Sequence, residues 1–148
     1  MSTMNLTLRD GIHILTLTNA ANGNDNTFTT EVMQEYMAAF DSVERYQGNS
    51  ALIITCDDEK TFSTGINLAW LGQQSAEGKG EFMQAFHLML CRFALLNIPT
   101  IACINGNAYA GGAILASGAD FRLMREDRGR FCFPEVNIPL PFTPVTRS

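Results

Sequence analysis

The stretch Pro99–Asp120, PTIACINGNAYAGGAILASGAD, leaves the chain few ways to fold. Thr100–Ile104 is a short run with β-branched residues between Pro99 and Asn105-Gly106, and it reads as a buried strand. Small residues then crowd together at Ala108, Ala110, Gly111, Gly112 and Ala113. The apolar segment from there to Ala119 reads as a short buried helix. A strand that enters a helix through a glycine turn leaves backbone N–H groups unpaired and aimed outward. With no side chains at Gly111 and Gly112, a ligand atom can come right up to that backbone. Such a turn suits a developing oxyanion or a phosphate. The same glycines also serve if their only task is to pack a helix tightly on a strand. Gly106 to Gly112 lacks the Gly-Lys-Ser/Thr ending of a P-loop, and no G-x-G-x-x-G follows a strand. An acyl oxygen therefore suits the turn better than a nucleotide phosphate.

A second stretch repeats the geometry. Thr61–Trp70 reads TFSTGINLAW, where Gly65 allows a tight bend and Asn67 can cap a short helix through Leu71. The Ile66 N–H then becomes a free donor like that of Gly111. Around these two bends the chain alternates strands and helices. Gly11–Thr18 is a strand paired with Leu6–Arg9 through the Asp10-Gly11 turn, and Asn19–Asn26 (NAANGNDN) is a polar, solvated loop. Thr29 or Thr30 caps a helix to about Arg45, with Val32, Met33, Tyr36, Met37, Phe40 and Val43 as its core stripe. Ser50–Cys56 is apolar enough to be a strand buried on both faces. Ser75–Gly80 reads as a mobile loop, and Glu81–Leu96 as an amphipathic helix in which His87 packs beside the apolar stripe. Phe121–Arg125 and Phe131–Phe133 are strands on either side of the charged turn REDRGR. The order β-β-α-β-α-α-β-α-β-β is an α/β pattern with right-handed crossovers in a single domain.

Composition narrows the chemistry. The 148 residues are 46% hydrophobic, enough for one real core, and the net charge of -5 gives no electrostatic reason to expect nucleic acid or an anionic membrane surface. No span reads as transmembrane, because Pro99, Asn105, Asn107 and the glycines break the longest apolar region. Cys56, Cys91, Cys103 and Cys132 are widely spaced and read as reduced thiols, not a disulfide frame. His13 and His87 form no helical pair, so no metal site is expected. No Ser sits in a G-x-S-x-G elbow and no Cys neighbours a His, which leaves a carboxylate to do proton chemistry. Glu135 follows Pro134 near Phe131 and Phe133, where partial burial would raise its pKa toward that of a useful base. The alternative role for Glu135 is to cap whatever follows the turn.

Together these stretches resemble the crotonase superfamily of enoyl-CoA hydratases and isomerases, from the first strand to about Leu140. The most specific parts are KTFSTGINL at Lys60–Leu68 and PTIACINGNAYAGGA at Pro99–Ala113. The resemblance implies a ClpP-like spiral of repeated ββα units. It also implies an oxyanion hole made by the Ile66 and Gly111 amides. Acyl-CoA would lie along Ile66, Asn67, Leu68 and Ala69 and around the Gly111 turn. Hydratases of this family use two glutamates; Ile114 stands where the first would be, and Glu135 matches the second. One glutamate without the other looks like the Δ3,Δ2-enoyl-CoA isomerases, and MREDRGRFCFPEVNIPL resembles the monofunctional isomerases of plants and their bacterial relatives.

That resemblance implies a one-base mechanism: Glu135 moves a proton from C2 to C4 of a 3-enoyl-CoA. It calls for no cofactor beyond the coenzyme A of the substrate. The alternatives are another crotonase reaction, such as hydration or thioester hydrolysis, and a non-catalytic acyl-CoA-binding protein. The family also implies a homotrimer or a dimer of trimers. The chain reads as one crotonase-type core, 1–148, without the helices that usually follow, and cytoplasm is the expected compartment.

Overall fold

In a computed structural model of the chain, residues 2–134 are described. The N-terminal hairpin joins β1 (Met4–Arg9) to β2 (Ile12–Leu17). Its two-residue turn has both φ angles positive, 51° at Asp10 and 82° at Gly11, the type I′ geometry that matches strand twist. Helix α1 (Thr30–Arg45) starts where Thr29 accepts a hydrogen bond from the Val32 N–H at 3.3 Å. Then follow β3 (Ala51–Cys56), β4 (Thr61–Ser63), α2 (Leu68–Gly72) and α3 (Ala76–Ala94). The last described elements are β5 (Thr100–Ile104), β6 (Asn107–Tyr109), α4 (Gly111–Ser117), β7 (Phe121–Met124) and β8 (Phe131–Cys132).

Two sheets result. The larger runs β1-β2-β3-β5-β7, parallel except for the β1–β2 hairpin, and the smaller runs β4-β6-β8, all parallel. After the β1–β2 hairpin, which stays in the large sheet, the pairs β3/β4, β5/β6 and β7/β8 each send the first strand to the large sheet and the second to the small one. Of the small sheet's strands, β8 falls within the strand expected at Phe131–Phe133, whereas β4 and β6 did not stand out in the sequence. Both are three residues long, too short for an alternating pattern, and exist because they pair with one another.

The core lies between the inner face of the large sheet and the helices. Leu15, Leu17, Leu52 and Ile54 pack against Tyr36, Phe40 and Val43 of α1 and Phe86, Met89 and Phe93 of α3. Phe40 and Phe93 stack at 5.7 Å. Each such side chain contributes about 1.5–3 kcal/mol through burial. Two further ties set the spacing of the strands. Asn105 donates from Nδ2 to the Cys56 carbonyl at 2.8 Å, and Thr100 and Asp120 exchange backbone-to-side-chain bonds at 2.9 Å each.

Three readings need correction. Ser75–Gly80 is not a loop: Ser75 caps α3 through the Gly78 N–H at 3.0 Å, and the helix runs on through both glycines. The roughly 1 kcal/mol cost of a helical glycine is offset by the packing of Phe82, Phe86, Met89 and Phe93 farther along. Strand β3 is not buried on both faces; Leu52, Ile54 and Cys56 are buried while Ala51, Ile53 and Thr55 are half-exposed. Among the described residues nothing covers that second face, where Ile53 and Ile101 are in register with Phe121, 63% exposed. The loop 19–26 is not wholly solvated either, because Asn26 is buried.

Candidate active site

The two glycine bends lie at the same ends of β4 and β6 and meet there. At the first, Gly65 has φ of 96°, which a side chain would strain, and Asn67 accepts from the Trp70 N–H at 3.0 Å to start α2. At the second, Ala110 carries φ of 50° and ψ of −121°, and Gly111 opens α4. A Cβ on Gly65 would fall 2.8 Å from the Gly111 nitrogen, and one on Gly111 would fall 3.6 Å from the Ile66 nitrogen. The two backbones are therefore in direct contact. A Cβ on Gly112 would lie 2.3 Å from the Ser63 carbonyl oxygen, so this glycine lets α4 sit directly on β4. Phe86 closes the contact from beneath, 3.0 Å from where a Gly111 Cβ would be.

Peptide planarity then says where each N–H points. The Gly65 carbonyl accepts from the Phe28 N–H at 2.9 Å, and a trans peptide directs the Ile66 N–H the opposite way. The Ala110 carbonyl accepts from the Ile114 N–H at 2.9 Å inside α4, which turns the Gly111 N–H out of the helix start. Among the described residues neither amide donates to a protein acceptor. Two unspent donors at two adjoining helix starts can bind one oxygen that carries negative charge.

The other expected positions fall as follows. Asn67 is half-buried, whereas Leu68 and Ala69 are exposed on α2, Leu68 at 76%. Ile114 stands on the first turn of α4, half-buried against the core. Glu135 lies outside the described residues. The strand before it is placed: β8 pairs with β6, and the Ala110 N–H donates to the Cys132 carbonyl at 3.0 Å. The polypeptide thus passes beside the second bend just before Pro134. Two residues that the sequence did not single out, Asn26 and Ser63, back the first bend, with Asn26 4% exposed and Ser63 fully buried. The Ser of TFSTG, two residues before the required glycine, was the available signal; a polar loop gives none for Asn26.

The remaining titratable groups belong to the scaffold. Burial pushes the Cys56 thiol up to about 11, which keeps it protonated and unreactive. His13 is buried edge-on to Tyr46 at 5.1 Å, and burial holds its pKa below the usual value. The four cysteines are free. Among the described residues no cluster of His, Cys, Asp or Glu is placed to hold a metal, and no helix is long and apolar enough to cross a membrane.

This architecture is that of the crotonase fold. It superposes on an enoyl-CoA hydratase/carnithine racemase from Magnetospirillum magneticum with a TM-score of 0.86 at 21% identity, covering 99% of this chain and 54% of that one. The enoyl-CoA hydratase structure from Geobacillus kaustophilus gives a TM-score of 0.85 at 26% identity, over 95% of this chain and 52% of that one. Residues 8–141 match the family model "Enoyl-CoA hydratase/isomerase", and the chain belongs to that family. Among curated relatives it is 30% identical over 136 residues to enoyl-CoA delta isomerase 3 of Arabidopsis thaliana, covering 90% of this chain and 56% of that protein. It is 33% identical over 139 residues to the peroxisomal enoyl-CoA delta isomerase 2 of the same plant, with 89% and 56% coverage. The chain spans about half the length of these relatives.

Proposed function

We propose that this chain carries the thioester-binding core of a Δ3,Δ2-enoyl-CoA isomerase. The observation that supports it is the meeting of two bends whose amides, Ile66 and Gly111, are unspent and turned away from their own carbonyl partners. On this reading the thioester oxygen of a 3-enoyl-CoA sits between the two N–H groups. Charge drawn onto that oxygen acidifies C2, and Glu135 takes the C2 proton as the electrons spread into a dienolate. The protonated Glu135 returns the proton at C4, and the double bond ends in conjugation as the 2-trans-enoyl-CoA. No proton is gained or lost over the cycle, and no cofactor beyond the substrate's coenzyme A is called for. Asn67, Leu68 and Ala69 line the path of the pantetheine arm in this scheme.

Isomerisation is preferred to hydration because Ile114 stands on the α4 turn where a second carboxylate would be required to activate water. A half-buried alkyl side chain offers water nothing to bind and keeps the dienolate dry. The delta isomerase relatives support the same choice. Four free thiols suit a reducing compartment, and cytoplasm is our reading of it.

The test is a 3-enoyl-CoA incubated with the chain and with Glu135→Gln, product being followed by chromatography. The reading expects 2-trans-enoyl-CoA without 3-hydroxyacyl-CoA, and a loss of at least about 100-fold in the variant, typical of removing a positioned base. Full activity in Glu135→Gln sinks the assignment of the base. Accumulation of 3-hydroxyacyl-CoA would make the chain a hydratase. Thioester binding without turnover would make it an acyl-CoA-binding protein.

A further inference from the structure

We propose that Asn26 and Ser63 are positioning residues that aim the Ile66 amide, the first of the two donors; the proposal rests on the thioester-binding reading above. Three observations carry it. First, the bend is clamped by one distant segment. Thr64 donates its N–H to the Asp25 carbonyl at 3.2 Å, Phe28 donates to the Gly65 carbonyl at 2.9 Å, and Asn67 donates to the Phe28 carbonyl at 3.0 Å. The Gly65 N–H goes to Ser63 Oγ at 3.2 Å. Of the four amides from 64 to 67, the clamp engages three and passes over Ile66.

Second, the hydrogen-bond inventory fixes the direction of each group. Ser63 has one hydroxyl hydrogen, and it goes to the Asn26 carbonyl at 2.9 Å. The oxygen's lone pairs are thereby left to face the Gly65 N–H. Asn26 is fixed in turn, because its Oδ1 accepts from the Asn19 N–H at 2.8 Å. Its Nδ2 donates to the Phe62 carbonyl at 3.0 Å and the Thr61 carbonyl at 3.4 Å. Swapping oxygen for nitrogen in that amide would set like groups against each other at every contact.

Third, the segment adopts a costly backbone to do this. Asp25 and Asn26 have φ of 50° and 51°, a left-handed pair outside any helix. Asn tolerates that conformation better than most residues, and here both its side chain and its carbonyl are used on the bend. A loop needed only for connection has no reason to bury an amide side chain at 4% exposure under a glycine turn. Ser63 Oγ holds the Thr64–Gly65 peptide and Phe28 holds the Gly65 carbonyl. The two peptides that meet at the Gly65 Cα are thus fixed together, and rotation of the Gly65–Ile66 peptide is opposed. If it rotates, the Ile66 N–H no longer converges with that of Gly111 on one oxygen.

The experiment uses the full chain and its Ser63→Ala variant, with a trans-2-enoyl-CoA isotope-labelled at the thioester carbonyl. The carbonyl stretching band of the bound ligand is read by difference infrared spectroscopy, and kcat and KM are measured on a 3-enoyl-CoA. Donation by both amides shifts that band to lower frequency, and Ser63→Ala is expected to lose part of the shift. It should also lower kcat roughly 10-fold with KM little changed, since a misaimed donor harms the charged state more than the bound ester. Asn26→Ala should do the same more strongly, but it can also unfold the loop, so Ser63→Ala decides. A wild-type shift retained in full by a folded Ser63→Ala, with unchanged kcat, overturns the positioning role and leaves the thioester reading standing. No shift in the wild-type chain overturns the thioester reading, and the positioning role with it.

Discussion

The bends at Gly65 and at Ala110 bring equivalent amides to one place by different means. The first uses glycine where the dihedral demands it, takes backbone bonds from the 25–28 segment, and backs them with two polar side chains, Ser63 of β4 and Asn26 of a separate loop. The second gives the strained dihedral to an alanine, with no side-chain cap, and uses its glycines for clearance against Ser63 and Phe86. Its peptide is fixed by backbone bonds alone, through Cys132 and Ile114. One donor is thus held by backbone bonds with a side-chain network behind them that single atoms can weaken. The other is held by the helix and sheet themselves, so small side-chain changes at the two bends should have unequal consequences.

The largest effect should come from Gly65→Ala. The new methyl would be strained at φ of 96° and would sit 2.8 Å from the Gly111 nitrogen, separating the bends. A loss of about 3 kcal/mol in urea-unfolding stability is expected, together with loss of the carbonyl shift in bound enoyl-CoA. If Gly65→Ala keeps wild-type stability, the two backbones do not touch as described. A smaller, opposite effect is expected from Ala110→Gly, which relieves an alanine held at φ of 50° and ψ of −121°. Strain of this kind is worth about 1–3 kcal/mol, and the extra freedom of an unfolded glycine takes part of it back. A net gain of about 1 kcal/mol should appear as a higher urea midpoint; a decrease would mean that the alanine methyl packs usefully.

The smallest effect separates the bends from the scaffold. Neither bend contains a titratable group, whereas His13 on the large sheet is buried with its pKa below the usual 6.5. The unfolded chain takes up a proton near that value and the folded chain does not, so stability falls as pH drops below about 6.5 toward the folded pKa. The urea midpoint should decline across that range and decline less in His13→Leu, while the carbonyl shift stays constant. A carbonyl shift that follows the His13 titration would show the two regions to be coupled.

Much of this was legible from local pattern. The hairpin at Asp10-Gly11, the cap at Thr29, the strand at Thr100–Ile104 and the helix starts after Gly65 and Ala110 each rest on residues adjacent in sequence. What the pattern could not resolve was set by distant partners. Ser75 and the packing of Phe82 to Phe93 drew Ser75–Gly80 into a helix, and β4 and β6 became strands only by pairing.

The sequence by itself determined the family, the two glycine bends and the absence of a carboxylate at position 114, because these depend on which residues stand at which spacing. Only the tertiary structure decided that the bends touch, that the Ile66 and Gly111 N–H groups are left unspent among the described residues, and that Asn26 and Ser63 stand behind the first. Peptide orientation depends on which carbonyl finds which partner. For Ile66 that partner is Phe28, tens of residues away in the chain; for Gly111 it is Ile114 within α4, while distant Cys132 holds the peptide before it through the Ala110 N–H.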